Sequence, residues 1–327
     1  MSADVTILIP AYEAEEFIDQ TLYFARGQTY GEIEIVVSVD HSADATFERV
    51  TDHARQDRRI RAYQQVERLG WAGNVNFLLD QVRTPYCFIY FHDDVIVPHY
   101  IERLLPTLLS NPEAALAHCD VRYIGAVQSV LPARANIRPR FERLMQFMLA
   151  PDRGAPLRGI MRRAIMGELR LPVDGRQSLY ANETFLFEAA ASGHLAAHNE
   201  ILYVNWANRP QGLMAQWEAI GHEEALAGVQ SLLARAHALV ERAASSDYER
   251  AALQFACFLW LKRFVDDAER RSGARIYNRP EDLLPAFEHD HWPIALDTLA
   301  PDIATWARER WTLAEVDLSA RLTHKAA

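Results

Sequence analysis

Continuous apolar runs and amphipathic segments alternate through the first half of the chain. Val5–Ile9, Ile33–Val39, Ile60–Tyr63, Cys87–Phe91 and Ala115–Cys119 read as strands. The first, second and fourth are almost uninterrupted apolar runs, the pattern of strands covered on both faces. Between them Ala14–Arg26, Ala43–Gln56, Trp71–Val82 and His99–Leu109 show helical periodicity. In the third, Trp71, Val75, Leu78, Leu79 and Val82 fall on one side as a buried stripe. Such alternation predicts an α/β fold: a mostly parallel, Rossmann-like sheet with helices on both faces. Ligands of these sheets bind outside the carboxyl ends of the strands. The polar residues that directly follow each strand are therefore the first place to look for chemistry.

The pattern breaks at Gln128–Arg140, where QSVLPARANIRPR holds two prolines and three arginines and predicts a loop, placed where a lid over a site would lie. A helix over Phe141–Leu149 and a β-like stretch over Leu157–Arg162 follow. The next helix is expected from Asn182, as N-cap, to Gly193, before a strand at Ile201–Trp206. Beyond Gln216 only helices are predicted: Glu218–Ala244, Tyr248–Arg271, and pieces at Pro280–Phe287 and Ile303–Arg310. The expected organisation is an α/β domain over 1–215, with halves 1–127 and 128–215, and an all-helical region over 216–327. The segment containing Phe255, Phe258, Trp260, Leu261 and Val265 is apolar round its girth, which points to burial on several sides or to self-association through these helices.

The 327 residues carry 34 Lys and Arg against 44 Asp and Glu, a formal net charge of −10. No net positive field exists to displace counterions from phosphates, so general nucleic-acid binding is excluded. The three cysteines are scattered in apolar stretches without metal-ligand spacing and read as reduced, buried thiols. MSADVTILIP lacks the basic and long apolar regions of a signal peptide. No apolar run approaches the roughly 20 residues of a spanning helix. The expectation is a soluble, cytoplasmic protein.

The first strand runs into Pro10-Ala11-Tyr12-Glu13, the second into Asp40-His41-Ser42-Ala43-Asp44, and the fourth into His92-Asp93-Asp94. Any one of these could be a turn or a helix cap. Together they place several polar groups at one sheet edge, including two adjacent carboxylates. Like charges side by side are costly unless a cation screens them. A divalent metal shared between carboxylates and substrate phosphates would do so.

VTILIPAYEAEEFI, VSVDHSADAT, LGWAGNVNFLL and YFHDDVIVPHYIERL, followed by APLRGIMRRAIM and YANETFLFEAAASGHL, resemble in this order the motifs of the family 2 glycosyltransferases of the GT-A fold. The resemblance covers 1–215 and leaves the C-terminal helices outside it. It implies a nucleoside-diphosphate-sugar donor, most commonly a UDP-sugar, with Mn or Mg on the diphosphate. It also implies inverting transfer to a hydroxyl of a glycan or lipid-linked acceptor, as in polysaccharide biosynthesis. Residue by residue, Pro10, Ala11, Tyr12 and Glu13 would line the nucleoside pocket, and Asp40 would accept from the base. Gly70 would let the backbone approach the nucleotide, and Asn76 matches the helix asparagine. Asp93, with His92 and Asp94, would hold the metal. Glu183 would be the general base, with Glu188 the nearest other carboxylate. Arg209 would approach the diphosphate, and Arg158 and Gly159 would lie on the acceptor side. The arginines of 128–140 suggest an anionic acceptor at the inner face of a membrane. Two positions depart from the pattern: Phe91 stands where the leading metal-binding Asp is expected, and His41 where a second Asp is common. Phe91 and the Asn182-Glu183 order keep open a sugar-nucleotide-binding module that has lost transfer. A nucleotidyltransferase is the third reading, opposed by the acidic, glycine-free PAYEAEE.

Overall fold

Four parallel strands, β1 (Val5–Ala11), β2 (Ile33–Val39), β3 (Ile60–Gln64) and β4 (Tyr86–Ile89), form one half of a nine-stranded sheet in the order β3-β2-β1-β4. The computed structural model describes residues 3–173, 178–207, 212, 222–272 and 299–323. The sheet continues through β8 (Ile160–Arg162), β6 (Ala114–Gly125), β9 (His194–Ala207) and β5 (Val95–Ile96), with β7 (Ser129–Leu131) paired to β6. β8 runs antiparallel to β4 and β6, whereas β6 and β9 are parallel. The sheet is thus mostly parallel in its first half and mixed beyond. Every residue of β1 is buried, as its unbroken apolar run requires. Helices α1 (Ile18–Arg26), α2 (Thr46–Gln56), α3 (Gly70–Asp80) and α4 (Tyr100–Leu109) supply the crossovers, and Ile18, Leu22, Val50, Ile101 and Leu104 join the strand residues in the core.

Several elements differ from the sequence reading. Of the stripe predicted for α3, Val75, Leu78 and Val82 are buried and Trp71 and Leu79 half-buried, and Ala72 and Asn74 widen the buried face. The expected loop at 128–140 contains β7 and is tied down further. The Ala133 N–H donates to Asp120 Oδ1 at 2.6 Å, and the Asn136 N–H donates to the Leu195 carbonyl at 2.7 Å. Helix α7 (Ala181–Ser192) is entered through Tyr180 in the left-handed region (φ 65°), and Asn182 lies inside its first turn rather than capping it. Before it come α5 (Arg140–Leu149) and the one-turn α6 (Arg163–Met166).

The chain divides into two units, 1–137 with 153–217, and 138–152 with 218–327. Residues 138–152 therefore group with the C-terminal helices and not with the acceptor half. In this second unit α9 (Asp247–Ser272) packs with α5, α8 (His222–Ala243) and α10 (Pro301–Thr323). Phe255, Phe258, Trp260, Leu261 and Val265 of α9 are all buried within the single chain. Phe147 meets Trp260 edge-on at 5.7 Å, and Trp311 tilts against Phe255 at 5.4 Å. The apolar excess of α9 is thus covered inside the unit, without a second copy. Lys262 is buried there against Asp266 and Asp317, and Arg138 pairs with Asp302. The predicted helix at Pro280–Phe287 lies outside the described residues. Among those described, no helix is long and apolar enough to cross a membrane.

Candidate active site

The carboxyl ends of β1, β2 and β3 bring Tyr12, Glu13, Asp40 and Arg68 together. The Asp40 N–H donates to the Ala11 carbonyl at 2.8 Å, locking the two strand ends. Glu13 and His41 both take left-handed backbone conformations (φ 44° and 47°). That geometry turns the Glu13 N–H onto Ser42 Oγ at 2.9 Å. Tyr12 Oη donates to Glu13 Oε1 at 2.8 Å, and the Arg68 guanidinium lies over the Tyr12 ring, 3.6 Å from its centre. Asp40 is buried; its Oδ1 accepts the Leu69 N–H at 2.6 Å. Burial pushes the Asp40 carboxyl up, against the opposing pull of the Leu69 and Gly70 N–H groups and of Arg68. Gly70 opens α3 at φ 73°, a conformation that favours glycine. Its chain reversal serves Asp40, an internal need that the motif alone does not reveal. Arg68 was not singled out from the sequence, and its only signal is a position two residues before Gly70 at the end of the β3 connection.

The His92-Asp93-Asp94 turn after β4 is held from both sides. Thr21 Oγ1 donates to the His92 carbonyl at 2.6 Å. His92 Nδ1 lies 3.1 Å from the Pro10 carbonyl, which can only accept, so Nδ1 carries the proton. Among the described residues the buried Nε2 has no hydrogen-bond partner. Asp94, expected to help hold a metal, is instead turned inward with its side chain fully buried. Its Oδ1 accepts Asn205 Nδ2 at 2.6 Å; its Oδ2 accepts the Tyr203 hydroxyl at 2.7 Å and faces Arg158 Nε at 3.4 Å. Burial pushes the Asp94 carboxyl up, and the Arg158 charge pulls the other way. Arg158, expected on the acceptor side, is thus the counter-ion of Asp94. Its guanidinium also lies 5.5 Å from the ring centre of Phe91, the residue standing where an Asp was expected.

Glu183 sits in the first turn of α7 with Oε2 2.7 Å from Arg153 Nη2 and Oε1 3.3 Å from Asn182 Nδ2. Arg153 is a partner the sequence did not disclose. The one-turn helix Pro156–Arg158 packs against both α7 and β4, so the same short segment touches the elements that carry Glu183 and the HDD turn. Gly159 follows it, where a Cβ would come 2.4 Å from the Ala117 carbonyl oxygen. The glycine permits close approach of two strands, which is a packing role. Asn76, expected near the nucleotide, spends both ends of its carboxamide on the Leu171 backbone, each at 2.8 Å. Arg209 lies outside the described residues.

Residues 6–167 match the model of glycosyl transferase family 2. The chain carries a family 2 glycosyltransferase domain. The matched segment holds Tyr12, Asp40, Arg68, the HDD turn, Arg158 and Gly159, and ends before Glu183 and the helices α8, α9 and α10. An uncharacterized glycosyltransferase of Haemophilus influenzae is 30% identical over 107 residues, which is 33% of this chain and 33% of that one. The alignment thus spans about a third of that relative's length. Two solved structures share the fold of the family 2 domain. Residues 1–349 of S. aureus TarS, solved in complex with UDP-GlcNAc, superpose with a TM-score of 0.63 at 14% identity, covering 94% of this chain and 88% of that one. A mannosyltransferase of Pyrobaculum calidifontis, in complex with GDP-Man and Mn2+, gives 0.52 at 18% identity, covering 97% and 87%. The architecture of the family 2 domain is therefore GT-A.

Proposed function

We propose that the protein transfers a sugar from a nucleoside-diphosphate sugar, a UDP-sugar first, to a hydroxyl of a glycan or lipid-linked acceptor, with inversion at the anomeric carbon. The observation that carries this reading is the convergence of Tyr12, Asp40, Arg68 and the HDD turn on the carboxyl edge of the sheet. In this reading the buried Asp40 accepts from the base, and the Tyr12–Arg68 pair walls the nucleoside. The UDP-GlcNAc held by TarS, and the GDP-Man and Mn2+ held by the Pyrobaculum enzyme, support a donor of this class.

The donor set also fits a metal on the diphosphate. His92 has one ring nitrogen fixed on a backbone carbonyl and the other unpartnered among the described residues, the arrangement of a metal-binding imidazole. Asp93 stands beside it, whereas Asp94 has no free oxygen for a cation. Manganese or magnesium held by Asp93 and His92 would neutralise charge on the departing nucleoside diphosphate. Glu183 takes the proton of the acceptor hydroxyl, and Arg153 orients it.

Calorimetric titration of nucleoside diphosphates, with and without manganese, tests the donor site; one nucleotide should bind tightly and in a metal-dependent way. Failure of every nucleotide to bind would overturn the proposal. The Arg153–Glu183 ion pair, which occupies a carboxylate oxygen, favours a second reading in which the donor binds without transfer. Glu183→Gln separates the two: in a working transferase it keeps nucleotide affinity and loses about 100-fold or more in turnover.

A further inference from the structure

At the sheet edge opposite the HDD turn, the first unit holds a half-open cavity of about 590 Å3, within the roughly 300–1,000 Å3 range of small-molecule sites. The placement follows from the topology. β4 begins at Tyr86 and its antiparallel neighbour β8 ends at Arg162, so α6 and the Arg83-Thr84-Pro85 approach both lie at the amino end of β4. His92 follows the carboxyl end of the same strand. Leu79, Cys87, Met161, Met166 and Phe185 contribute an apolar lining. Two methionines among them suit a chain of variable shape. Burial pushes the Cys87 thiol up to about 12, with Arg163 and Arg170 acting the other way, so both guanidinium groups are felt at the cavity lining.

Arg83, Arg163 and Arg170 line the cavity together with Asp80 and Glu168. Arg170 is neutralised by Asp80 at 2.6 Å. Arg83 and Arg163 have no ion-pair partner among the described residues, and neither has Glu168. After the internal pair is removed, two arginines face one glutamate on a chain whose net charge is −10. Apolar lining and unneutralised arginines in one cavity call for a ligand with an anionic head and an apolar body.

We propose that this cavity is a second, donor-independent site for a small anionic amphiphile. A phosphate or carboxylate head engages Arg83 and Arg163, and a short apolar chain lies against Met161, Met166 and Phe185. Guanidinium groups match both heads through paired, charge-assisted hydrogen bonds.

Decyl phosphate, kept below its micellar concentration, is the probe, titrated calorimetrically into the full chain with and without saturating UDP. Saturable binding that UDP leaves unchanged is expected. The double variant Arg83→Gln/Arg163→Gln should weaken it at least about tenfold. Ala164→Trp, which obstructs the cavity while keeping its charges, should abolish it. All three positions are exposed, so thermal unfolding should match the wild type; if the tryptophan variant fails to fold, the arginine pair decides. Inorganic phosphate and decanol should each bind at least about tenfold more weakly than decyl phosphate, because each supplies half of the recognition. Flotation with phosphatidic acid vesicles identifies the source: capture that the arginine variant abolishes indicates a membrane lipid, and no capture with decyl phosphate binding intact indicates a soluble ligand. Displacement by UDP, equal affinity of the arginine variant, or equal affinity for inorganic phosphate would overturn the proposal. None of these readings requires transferase activity, so failure here is distinct from failure of the donor site.

Discussion

Asp94 offers the sharpest test of the difference between a metal ligand and a structural anchor. Truncation to alanine strips the acceptor from three groups at once: the Tyr203 hydroxyl, the Asn205 amide and the Arg158 guanidinium. A buried neutral donor left unsatisfied costs about 1–3 kcal/mol. Breaking a buried ion pair from one side costs about 3–5 kcal/mol. These costs overlap, because the groups share one pocket and relax together, so about 4 kcal/mol is expected for Asp94→Ala. Asp94→Asn presents an amide to donors and should fall only slightly short of that. The double variant Asp94→Ala/Arg158→Met removes the stranded charge and should recover about 1–3 kcal/mol, a coupling energy typical of residues in contact. Urea unfolding of the metal-free protein, followed by near-ultraviolet circular dichroism, gives all three values. The reasoning fails if Asp94→Asn unfolds within about 0.5 kcal/mol of the wild type while manganese-dependent nucleotide binding disappears. That outcome would make Asp94 a ligand and its buried contacts incidental.

Asp57 is held by hydrogen bonds and charge from Arg59, and by Arg26, at a pKa of about 2 against an ordinary 3.8. A depressed folded pKa stabilises above the unfolded value and loses that stabilisation as pH falls through the folded one. Asp57→Asn should therefore cost about 2 kcal/mol at neutral pH, with the gap to wild type closing between about pH 4 and about pH 2 in acid-unfolding curves. Gly159→Ala puts a Cβ 2.4 Å from a backbone oxygen that cannot swing aside; a loss of about 3 kcal/mol in urea unfolding is expected, and a neutral result would contradict the close approach of β8 to β6. Arg68→Gln should weaken UDP binding about threefold, since an exposed guanidinium–ring contact is worth about 0.5–1 kcal/mol, with no change in the thermal midpoint. Unchanged affinity in calorimetry would remove Arg68 from the nucleoside wall.

Much of the fold was legible along the chain. Strands covered on both faces must be apolar at every position, so β1 and β2 announce themselves without knowledge of their neighbours. The same logic places Tyr12, Asp40 and His92 at one edge, because parallel strands all end on the same side. The shortest antiparallel elements escape such reading. β5 has two residues and β7 three, and a segment that short contains no period; β8 falls within the β-like stretch expected over 157–162. The arginine-rich stretch before α5 reads as a loop by composition, yet its backbone is claimed by Asp120 and Leu195, residues far from it in sequence.

Local chemistry is written in the chain: which segments pleat, which coil, and which polar groups follow the strands, all governed by spacing over a few residues. The division of labour among those groups is a tertiary outcome. Asp93 and Asp94 are the same residue type at adjacent positions, and nothing local separates them. Asp94 is turned inward by Arg158, Tyr203 and Asn205, partners 64, 109 and 111 residues away. Asn76 is likewise claimed by Leu171, 95 residues distant. A buried carboxylate or amide must find donors and acceptors wherever the packed chain supplies them, and only the folded structure brings those groups within reach.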